Sequence, residues 1–254
     1  FKICKSEDEV LAAIDEIEVD RKNIDVLTDG AVIKVNDAAV REAMGYTDKF
    51  PRWAMAFKFE AEEVTTKVLD VVWQVGRTGK LTPLALLEPV ELAGATVRKA
   101  TLNNYGDILR KDVKIGSRVL IRRSNEVIPE ILGATEHTED SREIEKPAFC
   151  PACGSPLNEV GAHLFCPNRE CRPRIAAKLD HYAGKNAMDI DGFSESTAYL
   201  LMDKKGVKSF SDLYRLTAED LSDLEGFKTK KINNLLSAVE KSKRVSLDAF
   251  IYAV

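Results

Sequence analysis

The sequence predicts an α+β chain of several domains, and three observations lead there. Four cysteines, Cys150, Cys153, Cys166 and Cys171, stand in two close pairs, CPAC and CPNREC, the spacing of a small metal-folded knuckle. Residues 64–136 run as short β-rich segments broken by Gly and Pro, whereas the chain beyond Ile175 reads as helix. Ahead of both lie two strand-like segments, each carrying a single lysine, Lys34 and Lys58. At 254 residues with 44% hydrophobic content, the chain can bury a sizeable core, and its length suggests one to three domains.

Residues 1–22 are expected to form an amphipathic helix, with Val10, Leu11, Ile14 and Ile17 on its apolar stripe. Two strands follow, at 31–35 and 53–59, separated by a helical or loop stretch that ends in Lys49-Phe50-Pro51. In the second strand Trp53, Met55, Phe57 and Phe59 alternate with Ala54, Ala56 and Lys58. A period of two makes the bulky set a core face and the other a face of small residues bearing one ammonium. Small side chains beside a lysine leave room for a flat ligand, and an ammonium among apolar neighbours demands an anion, for which a phosphate is the natural choice. The alternative is that each lysine snorkels to solvent from an edge strand; two such strands 24 residues apart argue against it.

The segments VLDVVWQV, LTPLALLEPVEL, ATVRKATL, SRVLIRR and EVIPEIL predict a small antiparallel barrel, for which the OB-fold is the size-matched candidate. Residues 137–148 are polar and Pro-terminated and read as a linker, and the knuckle occupies 149–174. Each cysteine pair is followed by a turn-former, Gly154 or Asn168, so four thiolates can converge on one Zn²⁺ at about 2.3 Å each, with no coordination position left for catalysis. Two disulfides in a secreted domain are the alternative, but the chain has no signal-peptide pattern and is too long to depend on staples. Cys4 is an odd thiol, expected to be inert.

In the helical part, Ile190-Asp191-Gly192-Phe193-Ser194 recurs as Leu224-Glu225-Gly226-Phe227-Lys228, 34 residues later. Two copies without the aromatic and small-residue signature do not make a tetratricopeptide array. A helix-hairpin-helix fits better: the Gly permits the tight turn, and the next helix offers its free N–H groups to a phosphate. A plain Gly-containing connection in an all-α domain stays open beside it. The net charge is −4, unevenly spread: residues 1–63 carry 9 Lys and Arg against 15 Asp and Glu, and residues 64–136 carry 11 against 8. The local excess suits a nucleic-acid-facing module. No run of eighteen apolar residues exists, so a membrane span is not expected, and with the free thiols this points to the cytoplasm. The Phe1 start and the apolar FIYAV end suggest a fragment. The Gly-x-x-Gly-Lys of GRTGK does not match a Walker phosphate loop.

DGAVIKV followed by PRWAMAFKF is similar to the last two nucleotidyltransferase motifs of the bacterial NAD-dependent DNA ligases. VGRTGKLTP, ATLNN and RRSNEVIP resemble that family's OB domain, the four cysteines its zinc finger, and AMDIDG with its repeat its helix-hairpin-helix domain. The blocks keep the family's order and cover essentially the whole chain. The resemblance implies the C-terminal part of a nucleotidyltransferase domain at 1–62, an OB-fold at 63–140, a Cys4 finger at 149–174 and a helix-hairpin-helix domain at 175–254. It implies sealing of 5′-phosphate/3′-hydroxyl nicks in three steps: a lysine attacks NAD, AMP passes to the 5′-phosphate, and the 3′-hydroxyl displaces AMP. By resemblance Lys34 and Lys58 contact the adenylate phosphate, and Arg21 is another basic position of the pocket. Arg77, Arg123, Val127 and Ile128 match residues that contact DNA, and Gly192 and Gly226 mark the hairpins. The implied cofactors are NAD, structural Zn²⁺ and Mg²⁺ or Mn²⁺; the implied partner is nicked double-stranded DNA, bound by a cytoplasmic monomer without membrane attachment.

Departures accompany the likeness. The nucleophile motif Lys-x-Asp-Gly is missing, since Leu27-Thr28-Asp29-Gly30 has Leu where the lysine would stand, so self-adenylation is not expected of this segment. The nicotinamide-binding N-terminal region, later hairpin units and a BRCT domain are also lacking. Asn103 replaces a His in the ATLHN string, and Ser194 and Lys228 take the second glycine position of each hairpin. A non-catalytic DNA clamp with vestigial lysines is the alternative from another class. An ATP-dependent ligase or capping enzyme shares the two strands but is not expected to carry a Cys4 finger followed by hairpins.

Overall fold

Ser6 starts the first helix by accepting a hydrogen bond from the Glu9 N–H, and Glu7, Asp8 and Glu9 favour its positive end. Helix α1 therefore spans Glu7–Asp20 in the computed structural model, which describes residues 1–24, 28–124 and 128–254. The helix begins later than its apolar pattern predicts, and Leu11 is 52% exposed rather than on the packed stripe. The chain divides into two compact units. The first comprises Phe1–Val71, Ala85–Leu102 and Arg110–Ile144, and the second Val72–Leu84, Asn103–Leu109 and Glu145–Val254.

In the first unit, β1 (Gly30–Lys34) and β2 (Ala54–Lys58) form a two-stranded antiparallel ribbon. They are joined through α2 (Ala38–Met44), whose first turn is capped by the Asp37 carboxylate accepting from the Ala39 and Val40 N–H groups. The expected core face of β2 is not a core. Met55 is 69% and Phe57 41% exposed, and of the bulky set Phe59 alone is fully buried. A two-stranded ribbon has two faces to cover, and α1 lies against β1.

The barrel is built from β3 (Glu63–Val75), β4 (Lys80–Leu92), β5 (Ala95–Thr101), β6 (Arg118–Ser124) and β7 (Ile128–Glu136), with α3 (Tyr105–Arg110) between β5 and β6. Their order is β3-β6-β7-β5-β4, closed by a β3–β4 pairing. Along β4 the period-two alternation buries Leu81, Pro83, Ala85 and Leu87 in turn, and Val68, Val97, Val119, Ile121 and Ile131 fill the barrel core. Three expectations need correction. The β5–β7 pair is parallel, Thr101 opposite Glu130, because the chain crosses through α3 and β6 before returning and so has the length a parallel connection requires. Helix α3 interrupts a stretch expected to be strands and turns: six residues containing Gly106 show no period, although Asn104 accepts from the Asp107 N–H at 2.9 Å. The polar stretch after Glu136 is no free linker up to Ile144. Ile115 and Arg142 exchange two backbone hydrogen bonds of 2.9 Å, and Ile144 is buried.

The second unit holds the cysteine knuckle and the helices. A short hairpin, β8 (Asn158–Val160) and β9 (His163–Phe165), pairs with the start of β4, Lys80 opposite Phe165 and Leu81 opposite Leu164. Then follow α4 (Arg172–Ala183), α5 (Glu195–Lys205), α6 (Phe210–Leu213), α7 (Ala218–Ser222), α8 (Thr229–Ser242) and α9 (Leu247–Ala253), packed on Leu179, Ile190, Leu201, Leu213, Leu221 and Leu235. Gly206, at φ +68°, ends α5, and capping boxes Ser209/Asp212 and Thr217/Asp220 start α6 and α7. Among the described residues no helix is long and apolar enough to cross a membrane.

Candidate functional sites

The antiparallel register decides what the two lysines share. Lys34 stands opposite Ala54, Val32 opposite Ala56, and Gly30 opposite Lys58. Directly opposed residues project to the same side of a ribbon, so both ammoniums flank one face whose other members are Val32, Ala54, Ala56 and Gly30. Four residues of strand separate them, about 13 Å. Lys58 is not stranded among apolar side chains as its strand pattern predicts: it is 62% exposed and forms an ion pair with Asp29. That hydrogen bond, before the Coulombic attraction, holds the Asp29 carboxyl below its ordinary value. Asp29 is a residue that sequence reasoning passed over, although its place just ahead of Gly30 and β1 was visible.

Arg21 lies at the Lys58 end of the ribbon. Its guanidinium donates to the Thr28 and Glu60 carbonyls at 3.1 and 3.5 Å and lies 4.7 Å from the Phe59 ring centre, so its charge is held by backbone and aromatic contacts. A cavity of about 610 Å³ opens between α1 and β1, with Ile14, Ile17 and Ile33 in its wall and the cations Lys2, Lys34 and Arg41 also lining it.

The four cysteines converge. Their sulfurs all lie within 4.8 Å of one another, with Cys153–Cys166 at 3.5 Å and Cys150–Cys171 at 3.9 Å. A tetrahedron of sulfurs about 2.3 Å from a central ion has an edge of about 3.8 Å, so the set fits one zinc-sized ion. All four are unbridged thiols, against the disulfide alternative. Turns deliver them: Gly154 donates to the Cys150 carbonyl and takes φ +71°, and Cys171 donates to the Asn168 carbonyl and stands at the N-cap position of α4. Burial pushes the Cys166 thiol up to about 11 and Cys171 further still, whereas the hydrogen bond with Ser155 holds Cys153 near about 6. A divalent cation would supply the charge that lets all four ionise.

In the helical copies, Gly192 and Gly226 adopt φ +79° and +78°. A Cβ at either would meet nothing within 4 Å, so handedness rather than space calls for glycine. Ile190 and Leu224 are buried just before them, and a helix follows each: α5, which Ser194 caps by accepting from the Thr197 N–H, and α8, whose N-cap Lys228 makes no side-chain capping bond. Asn103 sits at φ +58°, a conformation asparagine tolerates better than most residues, and its amide donates to Asp107 at 2.8 Å. In the β3–β4 turn Arg77 is exposed, and no helix follows, unlike a phosphate loop. Arg123, in the other unit, donates to the Ala93 carbonyl at 3.1 Å. Leu27 and Val127 lie outside the described residues, and Ile128 is described only through its backbone pairing with Ser124.

Residues 1–62 match the model of the NAD-dependent DNA ligase adenylation domain, and residues 65–143 match that of the NAD-dependent DNA ligase OB-fold domain. The chain belongs to the NAD-dependent DNA ligase family. It is 58% identical over its whole length to a DNA ligase of Alkaliphilus metalliredigens, covering 39% of that protein. It is 53% identical to DNA ligase 2 of Clostridium acetobutylicum and 54% identical to a DNA ligase of Finegoldia magna, in each case over the whole chain and 38% of the relative. The chain thus spans 38–39% of the length of these ligases. The ligase OB match ends at 143, so it includes Arg142, which bridges to Ile115.

Proposed function

We propose that this chain is part of a bacterial enzyme that seals nicks in duplex DNA with NAD as adenylyl donor. The observation that carries the reading is the single ribbon face flanked by Lys34 and Lys58, since a pure clamp has no need of two cations around a strip of small residues. NAD, when bound, supplies the adenylyl group that passes to a 5′-phosphate and is displaced by the 3′-hydroxyl. This segment's part is fixed positive charge. Phosphoryl transfer spreads negative charge over in-line oxygens, so positioning and preorganised cations do most of the work. We assign Lys34 and Lys58 to the adenylate phosphate, with Lys58 exchanging Asp29 for it, and Arg21 to the rim of the same pocket. Mg²⁺ or Mn²⁺ is assigned to the phosphates. Because the sequence holds no Lys-x-Asp-Gly motif, the nucleophile is assigned outside this segment.

We assign Zn²⁺ to Cys150, Cys153, Cys166 and Cys171, as an ion that holds the knuckle and takes no part in the chemistry. Nicked duplex DNA is the proposed partner, gripped by Arg77 and Arg123 and flanked by Val127 and Ile128, with the N–H groups after Gly192 and Gly226 turned to phosphates. The α8 end, without a side-chain cap, leaves more of those donors free than the Ser194-capped α5 end. We propose domains at 1–62, 149–174 and 175–254, with the OB part running from 63 past 140 to Ile144, which is buried, and a cytoplasmic monomer as the working form. The test compares sealing of pre-adenylated nicks with sealing from NAD, in a full-length ligase carrying Lys34→Ala or Lys58→Ala. Loss in both assays supports the pocket. Normal sealing in both would leave the DNA clamp as the reading.

A further inference from the structure

The turn between β3 and β4 is usually a matter for the barrel, yet its tip belongs with the cysteines. Val72–Leu84 falls in the same unit as the knuckle, and Val75 and Leu81, on either side of the tip, are buried in one cluster with Cys150, Leu164, Cys166 and Cys171. The Cys166 N–H donates to the Gly79 carbonyl at 2.8 Å. Gly79 itself takes φ +87°, and a Cβ there would stand 2.4 Å from the Cys166 carbonyl oxygen and 3.3 Å from Nη1 of Arg174. One side of Gly79 thus receives the hydrogen bond of a zinc-ligand residue, and the other lies against that residue's carbonyl with no room for a side chain. Arg174, from α4, directs Nη1 at the carbonyls of Cys166, Pro167 and Asn168 at 3.2, 3.4 and 3.5 Å. It closes the loop that leads to Cys171, the fourth ligand. By contrast, Gly76 at the opposite end of the same turn has no left-handed φ, and a Cβ there meets the Lys80 oxygen at an ordinary 3.6 Å.

We infer that the Cys4 site holds the β3–β4 hairpin tip, and with it Arg77, through the Cys166–Gly79 backbone contact, with Gly79 and Arg174 as positioning residues. The turn closes on its own bonds, Gly79 N–H to the Gly76 carbonyl and Gly76 N–H to the Lys80 carbonyl, each 2.9 Å. Those bonds give it a shape but not a place. Its place comes from the strand pairing of Lys80 and Leu81 with Phe165 and Leu164, which the Cys166–Gly79 bond extends to the tip, and an ion would pin that strand at the Cys166 sulfur. Loss of the ion frees the Cys166 peptide, and the exposed Arg77, two residues from Gly79, loses its fixed position. That this consequence falls on DNA rests on the proposed role of Arg77; the coupling between metal site and turn does not.

The test uses the zinc-loaded chain and two readouts that need no ligase activity: the rate of zinc transfer to a chromogenic chelator, and amide hydrogen exchange of residues 76–81 before and after zinc removal. Gly79→Ala and Arg174→Ala are each expected to release zinc roughly tenfold faster or more, the scale on which partners of metal ligands act, while Gly76→Ala matches the parent. Zinc removal is expected to speed exchange at 76–81 but not in the barrel strand around Ile121. Unchanged exchange at 76–81 on zinc removal would overturn the inference, a measurement that stands even if Gly79→Ala does not fold. Parental zinc release from both Gly79→Ala and Arg174→Ala would overturn it equally. Binding of Arg77→Ala to nicked duplex separates the two claims. If it binds like the parent while zinc and turn are coupled, the DNA role of Arg77 fails and the coupling stands; if it binds weakly while zinc and turn are uncoupled, the reverse holds.

Discussion

Gly30→Ala is the change that tests the nucleotide pocket most directly. Gly30 stands opposite Lys58, and a Cβ on it would lie 2.2 Å from the Phe57 carbonyl oxygen and 3.2 Å from the Lys58 Cα. Ordinary contact begins near 3.4 Å, so a methyl group there is about 1.2 Å too close to a backbone atom that cannot rotate away. The β2 end must shift by about 1 Å, carrying the Lys58 ammonium with it, and a misplacement of that size costs about 10²-fold in rate. Gly45→Ala is the control: its φ is +64° and a Cβ there meets nothing within 4 Å, so it loses about 1–3 kcal/mol of stability to strain without moving either lysine. The assay is single-turnover sealing of a pre-adenylated nick by a full-length ligase carrying each substitution, with thermal melts alongside. Parental sealing by Gly30→Ala, or an equal loss in Gly45→Ala, would refute the claim that ribbon register positions the lysines.

Metal analysis should find one zinc per chain, and chelation should unfold the knuckle, since folding of such sites is coupled to metal by roughly 10–16 kcal/mol. Because burial pushes Cys166 up to about 11, loading releases its proton and apparent affinity should fall as pH falls; a pH-independent affinity would contradict the thiolate set. Arg77→Ala and Arg123→Ala should each weaken duplex binding and reduce the slope of log K against log salt by about 0.9; an unchanged slope removes that arginine from the phosphate contacts. In full-length ligase, Lys34→Ala and Lys58→Ala should each slow sealing by about 10²-fold or more, and arginine should rescue only in part because a planar fork does not replace a compact ammonium. The Asp212 carboxyl is held below its ordinary value by the N–H groups of Lys208 and Ser209, and Asp220 by the Thr217 hydroxyl and N–H. Their contribution is full above about pH 4, the unfolded value, and vanishes as pH falls through the folded one. Asp212→Asn and Asp220→Asn should therefore lower the melting temperature at pH 7, by a deficit that shrinks as pH falls below about 4; a deficit that does not change with pH would show that charge is not the cause.

What the sequence determined by itself is what lies within a few residues of chain. The cysteine spacing, Gly192 and Gly226 at the hairpin turns, and the alternation along β4 depend on covalent reach, φ preference and side-chain direction, and each was legible without a fold. The tertiary structure decided the partners. Lys58 meets Asp29, 29 residues away; Cys166 meets Gly79; β5 and β7 run parallel; and residues 137–144, polar in composition, hold to the barrel through Ile115 and Arg142. Met55 and Phe57 have the pattern of core residues and are exposed, because alternation states which side chains share a face and says nothing of what lies against it. Contacts between distant segments are selected by register, crossover length and the shape left between elements, and no window of sequence short enough to show a period contains those quantities.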